Sequence, residues 1–147
     1  MSETPLAEIT LRKYETPYNL SKRELVKKVC LSFGLLQPGD SRDVMVDILL
    51  VLFEARKKKE SLDTVEIQKR VVASRKAAKV EEKGIAESNI RRQLRRLKDL
   101  MLVESGGNKY RIAEFESLNK LFEEKIEKFL IPSIVGRVKE YLGELEK

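Results

Sequence analysis

The segment that most restricts the fold is the run 42–59, "RDVMVDILLVLFEARKKK", which is apolar almost without interruption over 44–53. A helix that is apolar on every side has to be covered on several sides, so we expect this one to be central. The run is too short to span a bilayer, and Asp47 interrupts it. Asp40 or Ser41 is expected to cap the helix at its start.

Two further helices are predicted by their capping residues. "SKRE" has the form of a capping box, with Ser21 at the N-cap and Glu24 three residues later, and predicts a helix over 21–33 that ends at Gly34. The preceding residues 1–19 have mixed polarity and contain two prolines, so an irregular arm is expected there.

The second capping pair is Asp63 with Glu66, and it predicts a helix over 63–73. The charged, alanine-rich link 74–86 either prolongs that helix or forms a mobile loop, and Gly84 is expected to break it. The basic residues of this link, which are Arg75, Lys76, Lys79 and Lys83, are interpreted either as a flexible phosphate clamp or as an exposed charged connection.

A basic amphipathic helix follows over 87–101. Its buried stripe is predicted to comprise Ile90, Leu94, Leu97 and Met101. Ser88, Arg92, Arg95 and Asp99 fall on the opposite face, while Asn89 and Arg96 lie on one shoulder and Arg91 and Lys98 on the other. No acidic residue occurs within 88–98, so local ion pairing that would neutralise these arginines is largely unavailable.

A hairpin is predicted over 102–113, where "LVE" and "KYRIA" bracket the turn "SGGN". From Glu114 the chain is expected to be helical again, with two apolar stripes separated by an interruption at "IPS", 131–133. The first stripe comprises Phe115, Leu118, Phe122, Ile126 and Phe129, and the second comprises Ile134, Val138, Tyr141, Leu142 and Leu145.

The composition excludes several classes of function. The 147 residues include no His and a single Cys, Cys30, so no metal site built on imidazole or paired thiolates, and no cofactor, is expected. The same absence removes the usual nucleophile–base pairs, and we predict that the protein is not an enzyme. Cys30 is interpreted as a small core residue. No segment is apolar enough for a membrane span and no signal-peptide pattern is present, so a soluble cytoplasmic protein is expected.

Positive charge is concentrated in the middle of the chain. Residues 55–111 hold 17 basic and 8 acidic residues, a net charge of +9, whereas residues 1–54 carry −1 and residues 112–147 carry −2. A basic segment between nearly neutral ones indicates an anionic partner bound at one place. The basic run "ARKKKE" at 55–60 is interpreted mainly as a solvated helix end that interacts favourably with the helix dipole.

The order of three helices and a hairpin over 41–113 resembles the winged helix-turn-helix family. The stretch "GIAESNIRRQLRRLKDLMLVESGGNKYRIA" carries the resemblance, with a basic helix followed by a glycine-bearing wing. The resemblance implies a mainly α fold with a small β-hairpin, with additional helices at both ends. It divides the chain into an arm and helix (1–40), a winged-helix DNA-binding domain (41–113) and C-terminal helices for dimerisation or packing (114–147).

The family resemblance implies a recognition helix at 87–101 that enters the major groove of double-stranded DNA. Its base-reading residues would be Ser88, Asn89, Arg92 and Arg96, and its phosphate-binding residues would be Arg91, Arg95 and Lys98. The wing residues Asn108, Lys109 and Arg111 would lie along the backbone or in the minor groove.

The predicted function is that of a DNA-binding transcriptional regulator.

The C-terminal stripes need a surface to cover them, and a second copy of the chain could supply it, so a homodimer is expected. The alternative is a winged-helix protein–protein interaction module of a larger assembly. RNA binding is a weaker alternative, because paired exposed aromatic residues are lacking.

Overall fold

The computed structural model describes residues 2–147, which form a mainly helical protein with a small three-stranded antiparallel sheet. The helices before the hairpin are α1 (Lys22–Ser32), α2 (Val44–Lys57), α3 (Thr64–Ala77) and α4 (Glu87–Asp99). A two-residue strand, β1 (Leu62–Asp63), lies between α2 and α3. The predicted class, mainly α with a small hairpin, is confirmed, but β1 was not predicted because two residues are too few to show an alternating pattern.

The sheet joins β1 to the predicted hairpin. Strands β2 (Val103–Gly106) and β3 (Lys109–Ile112) pair antiparallel, and β1 pairs with the other edge of β3, giving the order β1-β3-β2. Tyr110 in β3 therefore lies opposite Leu62 on one side and Ser105 on the other. Through β1 the hairpin is fastened to the connection between α2 and α3.

Helix α2 is the central helix, as its composition predicted. Six consecutive residues from Val44 to Leu49 are buried, and α2 packs against α1, α3, α4 and β3. The predicted caps of this helix are wrong. Asp43 occupies the N-cap position and makes no capping bond, because its carboxylate accepts a hydrogen bond from Arg75 instead, at 3.0 Å. Asp40 accepts the backbone N–H of Arg42 within the preceding turn.

The capping pairs predicted for α1 and α3 are confirmed. Ser21 Oγ accepts the backbone N–H of Glu24 at 3.2 Å, and the Glu24 carboxylate accepts the backbone N–H of Ser21 at 3.3 Å. Asp63 Oδ1 accepts the backbone N–H of Glu66 at 2.8 Å. Gly34 follows the end of α1, as predicted, and has a left-handed φ of +70°, which is typical of a glycine that ends a helix.

A buried carboxylate, Asp47, joins three helices. The Arg75 guanidinium donates to Asp47 at 2.6 Å, Ser74 Oγ donates to it at 2.7 Å, and Arg23 of α1 forms a bidentate pair with it. The hydrogen bond to Asp47 raises the pKa of the Arg23 guanidinium. Both Asp47 and Arg75 are buried. Each charge lies next to an opposite charge, which offsets the free-energy cost of removing it from water.

The prediction for Arg75 is therefore wrong, since it is neither a phosphate clamp nor an exposed linker residue. It lies in α3, which extends to Ala77, and its Nε also donates to the carbonyl of Glu81 at 2.6 Å. The link thus prolongs α3 in its first part and forms an irregular connection over 78–86. The buried guanidinium ties the start of that connection to the core.

The C-terminal part is one continuous helical rod that follows a 3₁₀ turn, Ala113–Phe115. It comprises α5 (Leu118–Leu121), a π-helical segment (Phe122–Leu130) and α6 (Ile131–Leu145). The predicted interruption at "IPS" is wrong, because Pro132 is the second residue of α6. There the N–H of Ile131 still donates five residues back, to Ile126, and the wider turn relieves the clash that proline makes in an α-helix.

The widened helix also changes which side chains are buried. Leu121, Ile126 and Leu130 face the core, whereas Phe129, predicted to belong to the buried stripe, is 62% exposed. The stripe was predicted with α-helical periodicity, and hydrogen bonds to the fifth residue shift it. The second predicted stripe lies on α6, of which no residue is buried.

One core extends across the boundaries predicted at residues 40 and 113. It contains Cys30 of α1 and Ile126 of the π-helical segment together with the buried residues of α2, α3 and α4. Cys30 is a small core residue, as predicted, and burial raises the pKa of its thiol to about 12.

The arm before α1 is irregular, as predicted, and Arg12 fastens it to the body. The Arg12 guanidinium donates to the carbonyl of Leu31 at 2.9 Å and to Gln37 Oε1 at 2.6 Å, and its backbone N–H donates to the carbonyl of Ser32. The arm thereby satisfies carbonyls at the C-terminal end of α1, which have no partners within that helix.

Candidate nucleic-acid interface

Helix α4 is held by one apolar face. Ile90, Leu94 and Leu97 are fully buried, and the helix packs against α2, α3 and β2. The fourth residue predicted for this stripe, Met101, does not belong to it, because α4 ends at Asp99 and Met101 has a left-handed φ of +62°. The opposite face of α4, with Ser88, Arg92 and Arg95, is exposed.

Arg92 and Arg95 carry the unneutralised charge of that free face. Both are exposed, and neither has an ion-pair or hydrogen-bond partner among residues 2–147. Ser88, one turn before Arg92, is also exposed. Two arginines three residues apart on a rigid, anchored helix form a fixed positive surface.

Three other basic residues of α4 are engaged within the chain. Arg91 lies 3.7 Å from the Glu87 carboxylate, and Lys98 Nζ donates to Ser105 Oγ of β2 at 2.8 Å. Arg96 is half-buried and donates to Gln93 at 2.8 Å and to the carbonyl of Gly34 at 3.1 Å. Arg96 and Lys98 thus fix α4 against the turn after α1 and against the hairpin, respectively.

The predicted base-reading residue Asn89 is also bonded within the chain. Its amide nitrogen donates to the carbonyl of Gly84 at 2.8 Å, and its Oδ1 accepts a hydrogen bond from Gln93 at 3.1 Å. Gly84 has a φ of +74°, which breaks the link as predicted and lets the chain approach the start of α4. In this conformation Asn89 orients the N-terminus of α4, and contact with a base would require these bonds to break.

The N-terminus of α4 has no side-chain cap. Ala86 occupies the N-cap position with an extended backbone, φ −63° and ψ 142°, and cannot accept a hydrogen bond through its side chain. The backbone N–H groups of Glu87 and Ser88 therefore have no side-chain acceptor at the N-cap, and they lie at the positive end of the helix dipole.

The hairpin turn consists of Gly107 and Asn108, which have φ of +58° and +63°. Two consecutive residues with positive φ are what a type I′ turn requires. Lys109, at the start of β3, is exposed and has no ion-pair partner within the described part of the chain. Asn108 and Lys109, two of the predicted wing residues, therefore lie at the tip of the hairpin.

Arg111, the third predicted wing residue, is held away from the tip. Its Nε donates to the Glu104 carboxylate at 2.7 Å, and its guanidinium lies 4.8 Å from the ring centroid of Phe115. Glu104 also accepts the backbone N–H of Glu114 at 2.7 Å. Arg111 thus stabilises the base of the hairpin.

Arg42 was not identified from the sequence as a site residue. It lines a groove beside α4 together with Lys83, Gly84 and Arg92, and its side chain is exposed. Because Arg42 precedes α2 and lies fifty positions from Arg92, only the folded chain brings them to one surface. Lys83 pairs with Glu81 at 2.8 Å, so Arg42 is the main addition to the free positive charge.

The basic run at the end of α2 is organised around an aromatic ring. Lys22, Arg56 and Lys57 lie over the Phe53 ring at 4.8, 5.0 and 5.4 Å from its centroid. Lys57 also pairs with Glu54 at 3.2 Å. These contacts favour the interpretation of this run as a solvated helix end.

No known protein family, curated protein or solved structure matches the chain. None of the helices over residues 2–147 is long and apolar enough to cross a membrane. Over the same residues, no group of three or more metal-ligating side chains occurs.

Proposed function

We propose that the protein is a DNA-binding transcriptional regulator of the winged helix-turn-helix type, with α4 as its recognition helix and the β2–β3 hairpin as its wing. The observation that carries the proposal is the pair of exposed arginines, Arg92 and Arg95, on the outer face of a helix fixed by three buried residues. The element order, with a short strand after α2 that pairs with the second strand of the wing, supports the same fold family.

The proposed roles are narrower than those predicted from the sequence. Arg92 would read a base edge in the major groove, where arginine binds guanine O6 and N7. Arg95 and Lys109 would bind phosphates and so position the helix and the wing. The uncapped start of α4 would offer backbone N–H groups to a phosphate, because the positive end of the helix dipole lies there. Arg96, Lys98 and Arg111 would hold these parts in place.

The test is equilibrium binding to double-stranded DNA over a salt series, with the preferred site first selected from a random pool. We expect binding that weakens steeply with salt. Arg92→Ala should remove about 1–3 kcal/mol of preference at one base pair. Lys109→Ala should weaken binding to every sequence alike and lower the salt slope by about 1.

Lys27→Ala is the matched control for Lys109→Ala, since Lys27 is an exposed lysine of α1 outside the proposed interface. It should leave both affinity and salt slope unchanged. Absence of binding at low salt would overturn the proposal. Equal losses from Lys27→Ala and Lys109→Ala would show only nonspecific attraction to the net positive charge.

A second candidate function is a protein–protein interaction module, which the exposed apolar face of α6 favours. Unlike the first function, it requires α6 to be available to a different chain in the free protein. A monomer that forms a stoichiometric complex with a different chain through α6, and that does not bind DNA, would support it.

A further inference from the structure

Helix α6 carries an apolar face that the rest of the chain does not cover. Its residues Val135, Val138, Tyr141, Leu142 and Leu145 are 45%, 51%, 72%, 49% and 79% exposed, respectively. Ile134 is half-buried, and no residue of α6 is buried. An exposed apolar surface of this continuity is typical of an interaction site.

The spacing of this face is that of a coiled-coil seam. Ile134, Val138, Tyr141 and Leu145 follow each other at intervals of four, three and four, and so occupy alternating d and a positions of a heptad. Val135 and Leu142 then take the two e positions on one side of the seam. Arg137 and Glu144 take the two g positions on the other side.

The seam complements itself when a second copy runs in the opposite direction. A two-fold axis between Lys139 and Glu140 sets Ile134 opposite Leu145 of the second copy and Val138 opposite its Tyr141. In an antiparallel pair the e positions of the two helices meet each other, and so do the g positions. Val135 would then contact Leu142, and Arg137 would meet Glu144, each of these pairs occurring twice.

A parallel arrangement lacks this match. There each g position meets the e position of the following heptad in the other helix. Arg137 would lie against Leu142, so it would keep only its own-helix partner, Glu140, and the leucine would lose its apolar neighbour. The distribution of charge along α6 therefore selects the antiparallel direction.

We propose that α6 pairs with α6 of a second copy of this chain, antiparallel, about the axis between Lys139 and Glu140. A homodimer was expected from the sequence, and this proposal assigns its contact surface to α6. The buried residues of the π-helical segment are not part of that surface. The pairing is independent of α4 and the wing.

The N-terminal arm borders the same seam. Its residues Pro5, Leu6 and Ala7 line a groove together with Ile134, Val138 and Tyr141 of α6. Leu6 is 94% exposed at this groove. A second helix seated on the seam would shield Leu6 from water along with the face of α6, which makes the arm a further apolar contribution to the interface.

The small size of the α6 contact indicates how tightly the two copies should bind each other. Helix α6 has 15 residues and is about 22 Å long at about 1.5 Å per residue. Such a contact is small beside stable interfaces, which bury on the order of 1,600 Å². We expect a dimer that dissociates on dilution within the micromolar range.

The first experiment is sedimentation equilibrium of the full chain without DNA, from low micromolar to near-millimolar concentration. Val138→Asp places a carboxylate in the centre of the seam and should raise the dissociation constant by about tenfold or more. Val65→Asp is the matched control, because Val65 on α3 is 56% exposed and lies outside α6. It should leave the association unchanged.

The second experiment tests direction. Arg137→Glu should weaken the dimer by setting two acidic residues together at each g contact, and Glu144→Arg should weaken it by setting two basic residues together. The double variant R137E/E144R restores opposite charges and should recover the wild-type dissociation constant. Circular dichroism of each variant checks that helix content is kept.

A wild-type chain that stays monomeric at near-millimolar concentration would overturn the proposal. A dimer that survives Val138→Asp, or a double variant as weak as either single variant, would also overturn it. All of these measurements exclude DNA. Failure of the α6 seam would therefore leave the DNA-binding proposal standing, and failure of DNA binding would leave the seam standing.

Discussion

Asp47 shows how one residue can hold several elements together. The carboxylate lies in an otherwise apolar helix, where an unpaired charge would be strongly destabilising. It is stabilised because Arg23, Ser74 and Arg75 approach it from α1 and α3. The cluster fixes how these helices are arranged around α2, since the bidentate pair with Arg23 and the buried contact with Arg75 each accept only one geometry.

We expect Asp47→Asn to destabilise the fold by about 3–5 kcal/mol, because it leaves Arg75 buried without a full counter-charge. Urea denaturation followed by circular dichroism measures the change. Glu54→Gln is the matched control, since Glu54 lies on the same helix and pairs with Lys22 and Lys57 at the surface. The control should cost less than about 1 kcal/mol, and equal losses in the two variants would contradict the role given to burial.

At the level of elements, the ends of the helices differ in how they are stabilised. Helices α1 and α3 begin with side-chain caps, at Ser21 and Asp63, whereas α4 begins at Ala86 without one. Helix α2 also lacks a capping bond, but its first residues, from Val44, are buried, whereas α4, the helix proposed to meet DNA, exposes Ser88 in its first turn. A missing cap costs stability, and at a binding surface it leaves donors available to a phosphate.

Ala86→Ser should stabilise the protein by about 1 kcal/mol by adding the missing cap. Ala86→Asp should stabilise it by a similar amount, yet weaken DNA binding because its carboxylate would face the phosphate backbone. Thermal unfolding and DNA titration of both variants separate the two effects. Loss of DNA affinity in the serine variant equal to that in the aspartate variant would argue against a charge effect.

The periodicity of a helix could be predicted where the helix is regular. The predicted stripe comprised Ile90, Leu94, Leu97 and Met101, and its first three residues are buried as expected, whereas Met101 lies beyond the end of α4. Phe129 was misassigned because the π-helical hydrogen bonds around it leave no mark on the apolar pattern. For Arg75, burial depends on Asp47, 28 residues away, which local composition does not reveal.

The helix and the hairpin of the candidate interface were predictable from the sequence, but the contacts of their individual residues were less so. Charge and helical position marked Arg92 and Arg95 correctly as outward-facing. The engagement of Asn89 and Arg96 depends on Gly84 and Gly34, whose carbonyls come close only after folding. The Arg96 contact joins residues 62 positions apart, whereas the Asn89 contact is local and depends on the left-handed φ of Gly84. Neither contact can be derived from the helical face on which the residue lies.

At the scale of the whole molecule, Gly34 is the point where the arm, α1 and α4 meet. Its carbonyl accepts a hydrogen bond from Arg96, and its φ of +70° turns the chain after α1. A Cβ atom at Gly34 would lie 2.7 Å from Cβ of Thr10 in the arm. The arm therefore packs so closely against Gly34 that no side chain larger than the hydrogen of glycine fits there.

Gly34→Ala should destabilise the protein by more than Gly39→Ala, its matched control. Both glycines have a left-handed φ, so each substitution costs about 1–2 kcal/mol in backbone strain. Only Gly34 adds a collision with the arm, whereas Gly39 has open space around it. Chemical denaturation gives the difference, and faster proteolysis within the arm of the Gly34 variant would locate it. Equal destabilisation would contradict close packing of the arm.

The π-helical segment sets the angle at which the molecule presents α6. Each residue of an α-helix advances the direction of its side chains by about 100°. A π-helical turn holds about one residue more than an α-helical turn. Removing one residue from Phe122–Leu130 and returning the rod to ordinary α-helix would therefore leave the apolar face of α6 nearly in place relative to the buried Leu121. Removing one residue while the π-helical hydrogen bonds persist would instead rotate that face by roughly a quarter turn. In a dimer joined through α6, such a rotation would change the relative orientation of the two copies without altering α4 or the hairpin.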